Sequence, residues 1–145
     1  MKIYLDTCSL QRPFDAKDQV RILLEAEAVL GILSYVEQKK VILISSDALV
    51  YEIENIPGAL RRYNSKSILN LAETYIKVNS KIEKRAGQLI SLGIMPLDAL
   101  HLSMAESSGA DYFCTCDDKL VSKAKRFLVK TKIITPIELI GEIEK

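Results

Sequence analysis

Apolar positions follow two rhythms along this chain. Short, wholly apolar runs alternate with longer stretches in which apolar residues recur at three and four. Lys2 to Leu5 predicts a strand stopping at Asp6-Thr7, and Ser9, Gln11, Pro13, Asp15 and Asp18 predict a loop after it. From about Gln19 to Lys40, residues Ile22, Leu23, Ala26, Val29, Leu30, Leu33 and Val36 keep helical spacing. Lys39 and Lys40 lie near its C-terminus, where the macrodipole favours cations. Val41 to Ile44 is apolar throughout, as expected of a strand covered on both faces. Ser45, Ser46 or Asp47 caps the next helix, whose core side is Leu49, Ile53 and Ile56 and which Pro57-Gly58 breaks.

The second half continues the alternation. Ala59 to Tyr75 predicts a helix anchored by Leu60, Ile68, Leu69 and Leu71, with Arg61, Arg62 and Lys66 on its outer side. Ile76 to Val78 reads as an extended link or an edge strand. Ser80, with Glu83 three residues on, carries a capping-box pattern for a helix to Leu92, which Gly93 stops. Pro96 suits the first turn of another helix, Leu97, Leu100, Met104 and Ala105 mark its apolar side, and Gly109 suits its end. Ala110 to Thr115 predicts a strand running into Asp117-Asp118. A basic helix from Leu120 to Phe127, a strand from Val129 to Thr135 and a last helix from Pro136 complete the chain. This pattern predicts an α/β fold with a mostly parallel sheet. The 145 residues, without internal repeat or dividing linker, predict one domain over 1–145.

Composition narrows the function. An apolar fraction of 48% and a charged fraction of 27% are those of a soluble globular protein. The net charge of +1 offers no whole-molecule attraction to nucleic acid, so any phosphate contact must come from local patches. No apolar run could span a membrane and no signal-peptide layout opens the chain, which predicts a cytoplasmic protein without membrane contact. Cys8, Cys114 and Cys116 lack paired metal-ligand spacing, and one histidine cannot complete a zinc site of about four ligands. Cys114 and Cys116, on one face of a strand, read as small buried thiols. His101, three residues after Asp98, reads as a satisfied, partly buried histidine.

The acids carry the candidate chemistry. Three predicted strands lead into them: Leu5 into Asp6, the Val41 strand into a helix carrying Glu52, and the Phe113 strand into Asp117. In a parallel sheet the strand C-termini open on one edge, and ligand crevices form there where strand order reverses. Asp98 could reach that crevice from its helix N-terminus. Ordinary readings exist: a turn residue for Asp6, an exposed helix residue for Glu52, a dipole-favoured acid for Asp98 and a cap for Asp47. Convergence would be costly, since two like charges about 5 Å apart at an effective dielectric near 20 repel by roughly 3 kcal/mol. Oxygen-only ligation suits Mg²⁺ or Mn²⁺, which can bridge a phosphodiester and help ionise water. Arg12, Arg61, Arg62, Lys123, Lys125 and Arg126 are candidates for phosphate contact, against a reading as a solvated face.

Four segments in order resemble the PIN-domain family, in its VapC-like toxin and ribonuclease group. They are Ile3-Tyr-Leu-Asp6-Thr7, Ser46-Asp-Ala-Leu-Val-Tyr-Glu52, Pro96-Leu-Asp98-Ala-Leu-His-Leu, and Ala110-Asp-Tyr-Phe-Cys-Thr115-Cys-Asp117. The resemblance implies a Rossmann-like three-layer α/β/α sandwich and a divalent-metal-dependent endoribonuclease. It implies Asp6, Glu52, Asp98 and Asp117 as the catalytic quartet, with Asp6, Asp98 and Asp117 holding Mg²⁺ or Mn²⁺. Thr7 and Thr115 would support them, with Asp118 as an alternative or addition to Asp117. Implied partners are an RNA substrate, a protein antitoxin of the VapBC type and a second copy in a homodimer. Two other readings stand beside it. One is a catalytically inactive PIN-like binding or assembly module. The other is a receiver-like phosphoacceptor, disfavoured because no lysine sits at a later strand end.

Overall fold

The computed structural model describes residues 1–145. Five strands, β1 (Lys2–Leu5), β2 (Ile42–Ser46), β3 (Thr74–Ile76), β4 (Tyr112–Cys114) and β5 (Lys132–Ile134), form one parallel sheet in the order β3-β2-β1-β4-β5. Eight α-helices connect and flank them: α1 (Thr7–Gln11), α2 (Val20–Glu37), α3 (Asp47–Glu54), α4 (Ala59–Leu69), α5 (Ser80–Ser91), α6 (Pro96–Ser107), α7 (Asp118–Ala124) and α8 (Pro136–Ile143). The chain runs from β1 outward to β3, then crosses back to β4 and on to β5. Right-handed crossovers put helices on one face during the outward run and on the other during the return. The packed pairs α2–α8 and α5–α6 form the outer layers. Ile3, Tyr4 and Leu5 of the central strand are wholly buried, as are Leu43, Ile44 and Phe113 beside them. The strand-order reversal therefore falls at β1, whose C-terminus is Leu5-Asp6.

Local departures from the sequence reading have identifiable causes. Residues expected as a loop after Asp6 instead form α1 and a 3₁₀ turn, Arg12–Phe14. The Asp6 carboxylate accepts from Ser9 N at 3.0 Å, and Leu10 is sealed in the core, so a helix too short to stand alone is held at both ends. Helix α4 ends at Leu69 rather than Tyr75, because Thr74 to Ile76 pair with Ile44 to Ser46 as an edge strand. Ser46 is the cap of α3, accepting from Leu49 N at 3.1 Å. Asp47 instead accepts from Tyr75 Oη at 2.5 Å and Val78 N at 2.8 Å, which ties the β3 edge down. Asn79, not Ser80, caps α5 by accepting from Ile82 N. The capping box falls on α8, between Thr135 and Glu138. Gly93 (φ 98°) and Gly109 (φ 76°) end α5 and α6 in the left-handed region, where a Cβ would be strained.

Candidate active site

Asp6 leaves β1 at the centre of the sheet edge and is almost fully enclosed. Besides capping α1, it accepts from the Cys8 thiol, whose Sγ lies 3.0 and 3.2 Å from its two oxygens. Asp117 stands just past the neighbouring strand β4 and caps α7, accepting from Lys119 N at 3.0 Å and Leu120 N at 3.2 Å. Its own N–H donates to Oγ1 of the buried Thr115 at 3.1 Å. Two of the candidate acids are thus positioned by short helices that they themselves start.

Glu52 is positioned differently. Its Oε1 accepts from Thr7 Oγ1 at 2.9 Å and from Nε2 of His101. His101 is buried, and its Nδ1 lies 2.5 Å from Tyr4 Oη, which is 2.7 Å from Ser46 Oγ. With a neutral ring, every contact of the network has one donor and one acceptor. His101 donates Nε2–H to the carboxylate, Tyr4 donates to Nδ1, Ser46 donates to Tyr4, and Leu49 N donates to Ser46. One buried chain therefore links β1, β2, α3 and α6 and terminates on Glu52. Burial alone would push the Glu52 carboxyl up. The hydrogen bonds from His101 and Thr7 outweigh it and hold the group below the ordinary carboxylate range. Burial pushes the Tyr4 phenol far up, so Tyr4 stays a neutral donor.

Asp98 occupies the third position of α6, half-buried. Its carboxyl is pushed up by burial first, then by the charges of Asp6, Asp117 and Glu52. Acids from β1, α3, α6 and the end of β4 are thus near enough to repel one another at Asp98. They do not form a ready-made cage, since no three His, Cys, Asp or Glu side chains are gathered closely enough to share one ion. The donor set still fits a hard divalent cation: it is all carboxylate and hydroxyl oxygen, and the raised Asp98 carboxyl marks a place where added positive charge is stabilising.

The remaining candidates lie around this centre. Asp118 turns to Arg21 of α2 in a two-bond pair at 2.5 and 2.7 Å and is exposed. Arg12 pairs with Asp15 at 2.9 Å and with the buried Glu25 at 3.2 Å. Arg61 bonds Asp15 at 2.8 Å and Phe14 O at 2.8 Å, and Arg62 bonds Ile56 O at 2.7 Å. Arg126 packs on the Phe127 ring, and Lys123 lies exposed beside Gly93. These cations make no continuous track, and most of their charge is already engaged. A groove of about 610 Å³, lined among others by Thr7, Tyr51, Glu52, Arg61 and Leu97, leads to Glu52 from the α3–α4 side. The sequence reading missed Tyr4 and Cys8 as neighbours of the acids and took His101 as structural. His101 is buried as expected, yet it touches Glu52 directly. The one available signal was its place one turn after Asp98.

An α/β sheet with acids gathered at its reversal point defines a class of protein rather than one reaction. The PIN domain family profile matches residues 3–126, and the chain belongs to that family. The fold is similar to solved structures at low identity. PAE2754 from Pyrobaculum aerophilum superposes with a TM-score of 0.61 at 17% identity, covering 99% of this chain and 90% of that one. VapBC2 from Rickettsia felis, bound to a DNA fragment from their promoter, gives 0.60 at 14%, covering 93% and 98%. VapC20 from Mycobacterium tuberculosis, a toxin cleaving the sarcin–ricin loop, gives 0.60 at 14%, covering 90% and 98%. Comparison with curated proteins finds no match. No helix is long and apolar enough to cross a membrane.

Proposed function

We propose that this protein is a divalent-metal-dependent endoribonuclease of the cytoplasm and the toxin of a VapBC-type pair. The observation that carries the reading is the family match over residues 3–126 on a sheet whose strand order reverses at the strand leading into Asp6; the raised Asp98 carboxyl agrees with it. Asp6, Asp98 and Asp117 would hold Mg²⁺ or Mn²⁺, which when bound polarises a phosphodiester and lowers the pKa of a coordinated water. Glu52 supplies the base. Both its hydrogen bonds fall on Oε1, which leaves Oε2 free to orient or deprotonate the attacking water. Thr7 fixes Glu52, and Thr115 fixes the backbone of Asp117. Asp118 steadies the start of α7 through Arg21 and acts only at the periphery. RNA would enter along the α3–α4 groove past Arg61, with Arg12, Arg62, Lys123 and Arg126 adding weaker phosphate attraction.

The likeness to VapBC2 of Rickettsia felis and VapC20 of Mycobacterium tuberculosis supports the toxin reading, and the former an antitoxin partner for this chain. Exposed Tyr51, Leu60 and Tyr63 on α3 and α4 supply apolar surface for an antitoxin or a second copy. One observation favours the inactive-module alternative: Asp6 and Asp117 have structural duties as caps. Substitution to Asn separates the two, because Asn caps about as well as Asp but carries no charge for a cation. Purified protein is expected to cleave RNA with Mn²⁺, and to stop with EDTA or as folded Asp6→Asn or Asp117→Asn. Cleavage that survives both chelator and substitutions refutes the mechanism.

A further inference from the structure

The geometry points to Cys8 and Cys116 as an oxidisable dithiol, converted to an intramolecular disulfide by a peroxide. The two residues leave adjacent strands. Leu5 is in register with Cys114, and Asp6 N donates to Cys114 O at 3.0 Å, so the segments after β1 and β4 run out side by side. Cys8 Sγ lies 3.6 Å from Thr115 Oγ1, and Ser9 Oγ lies 3.8 Å from Cys116 Sγ. Each cysteine therefore sits against the residue next to the other one. Cys8 is exposed and Cys116 half-buried, so an oxidant reaches the pair; Cys114 is sealed in the core. This arrangement departs from the sequence reading of Cys114 and Cys116 as alike: β4 ends at Cys114, and Cys116 has left the strand.

The chemistry balances with peroxide as the two-electron oxidant. One sulfur attacks a peroxide oxygen, the O–O bond breaks, and the first water leaves as the thiol becomes a sulfenic acid. The second thiol attacks that sulfur, its proton joins the departing hydroxyl as a second water, and the S–S bond forms. The product cross-links the start of α1 to the loop before α7, the two corners that carry Asp6 and Asp117. It also removes the S–H that donates to Asp6. Any effect on RNA cleavage rests on the proposed function; the disulfide itself does not.

The test is mass spectrometry of the reduced, folded protein treated with about one equivalent of hydrogen peroxide and then capped with N-ethylmaleimide. The reduced chain takes a cap on each of its three cysteines under denaturing conditions, and the oxidised monomer is expected to take one. A tryptic cross-link should join the Cys8 peptide to the one holding Cys114 and Cys116. It should persist in Cys114→Ala and vanish in Cys116→Ser and in Cys8→Ser, each checked for folding by circular dichroism. Retention of all three thiols, a bridge using Cys114, or bridging only between chains overturns the proposal. If the disulfide forms while neither redox state cleaves RNA, the dithiol stands and the nuclease reading falls.

Discussion

Replacing His101 with Leu tests the buried chain that ends on Glu52. The substitution keeps an apolar side chain of similar reach and removes both ring nitrogens. It deletes the neutral bond from Tyr4, worth about 1 kcal/mol net, and the charge-assisted bond to Glu52, worth about 1.5–3 kcal/mol when fully buried. The Glu52 side chain is 29% exposed, so water recovers part of the second bond and its lower end applies. Tyr4 Oη keeps Ser46 as a partner, which limits the penalty there. The sum is about 2–3 kcal/mol, or a melting temperature lower by roughly 6–12 °C for a chain of this size. Tyr4→Phe removes only neutral bonds and should cost about half as much. Thermal unfolding by far-UV circular dichroism reads both. The sign with pH is fixed as well. The depressed Glu52 carboxyl contributes stability that is present above the unfolded pKa, about 4.3, and is lost as pH falls through the folded value. The gap between wild type and His101→Leu should therefore narrow in acid. A His101→Leu variant as stable as wild type, or a gap that widens below pH 4, refutes the reasoning.

Three other outcomes follow from the same structure. Asp98 titrates above its unfolded value, so its contribution favours folding below about pH 3.9 and is lost as pH rises through the folded pKa; Asp98→Asn should raise the melting temperature of the metal-free protein at pH 7, and a fall would contradict the crowding of acids there. Leu10→Ala should cost about 2–5 kcal/mol in urea unfolding, because Leu10 is the buried anchor of α1; a loss below about 1 kcal/mol would mean that α1 is not packed as described. Arg21→Ala breaks the exposed pair with Asp118 and should leave RNA cleavage intact, whereas a large loss would move Asp118 into the reaction.

What the sequence made legible is what periodicity encodes. The strands around β1 and β2 are apolar because both faces are covered, and their ends place Asp6 and Glu52 on one edge without reference to any distant contact. Helices α2, α5 and α6 are long enough for three-and-four spacing to dominate. Helix α1 is not: five residues give no period, and only the Asp6 cap and the burial of Leu10 reveal it. Asn79 and Ser80 are adjacent and both good caps, so composition could not choose between them. The Tyr4–His101–Glu52 chain and the Asp118–Arg21 pair join residues far apart in sequence. Such pairings depend on strand order and crossover, which a pattern of apolar positions does not contain. The same holds for Cys8 and Cys116, whose nearness follows from β1 lying beside β4.

We propose that Asp6, Asp98 and Asp117, from separate segments, hold one hard cation with Glu52 beside them as base. The most direct test is the melting temperature of wild type and Asp98→Asn across a Mn²⁺ titration at neutral pH, begun from chelator-treated protein. Wild type should gain stability with rising Mn²⁺ by mass action on the folded state, and Asp98→Asn should gain little or nothing. Equal gains in both proteins, or none in wild type, would contradict the account.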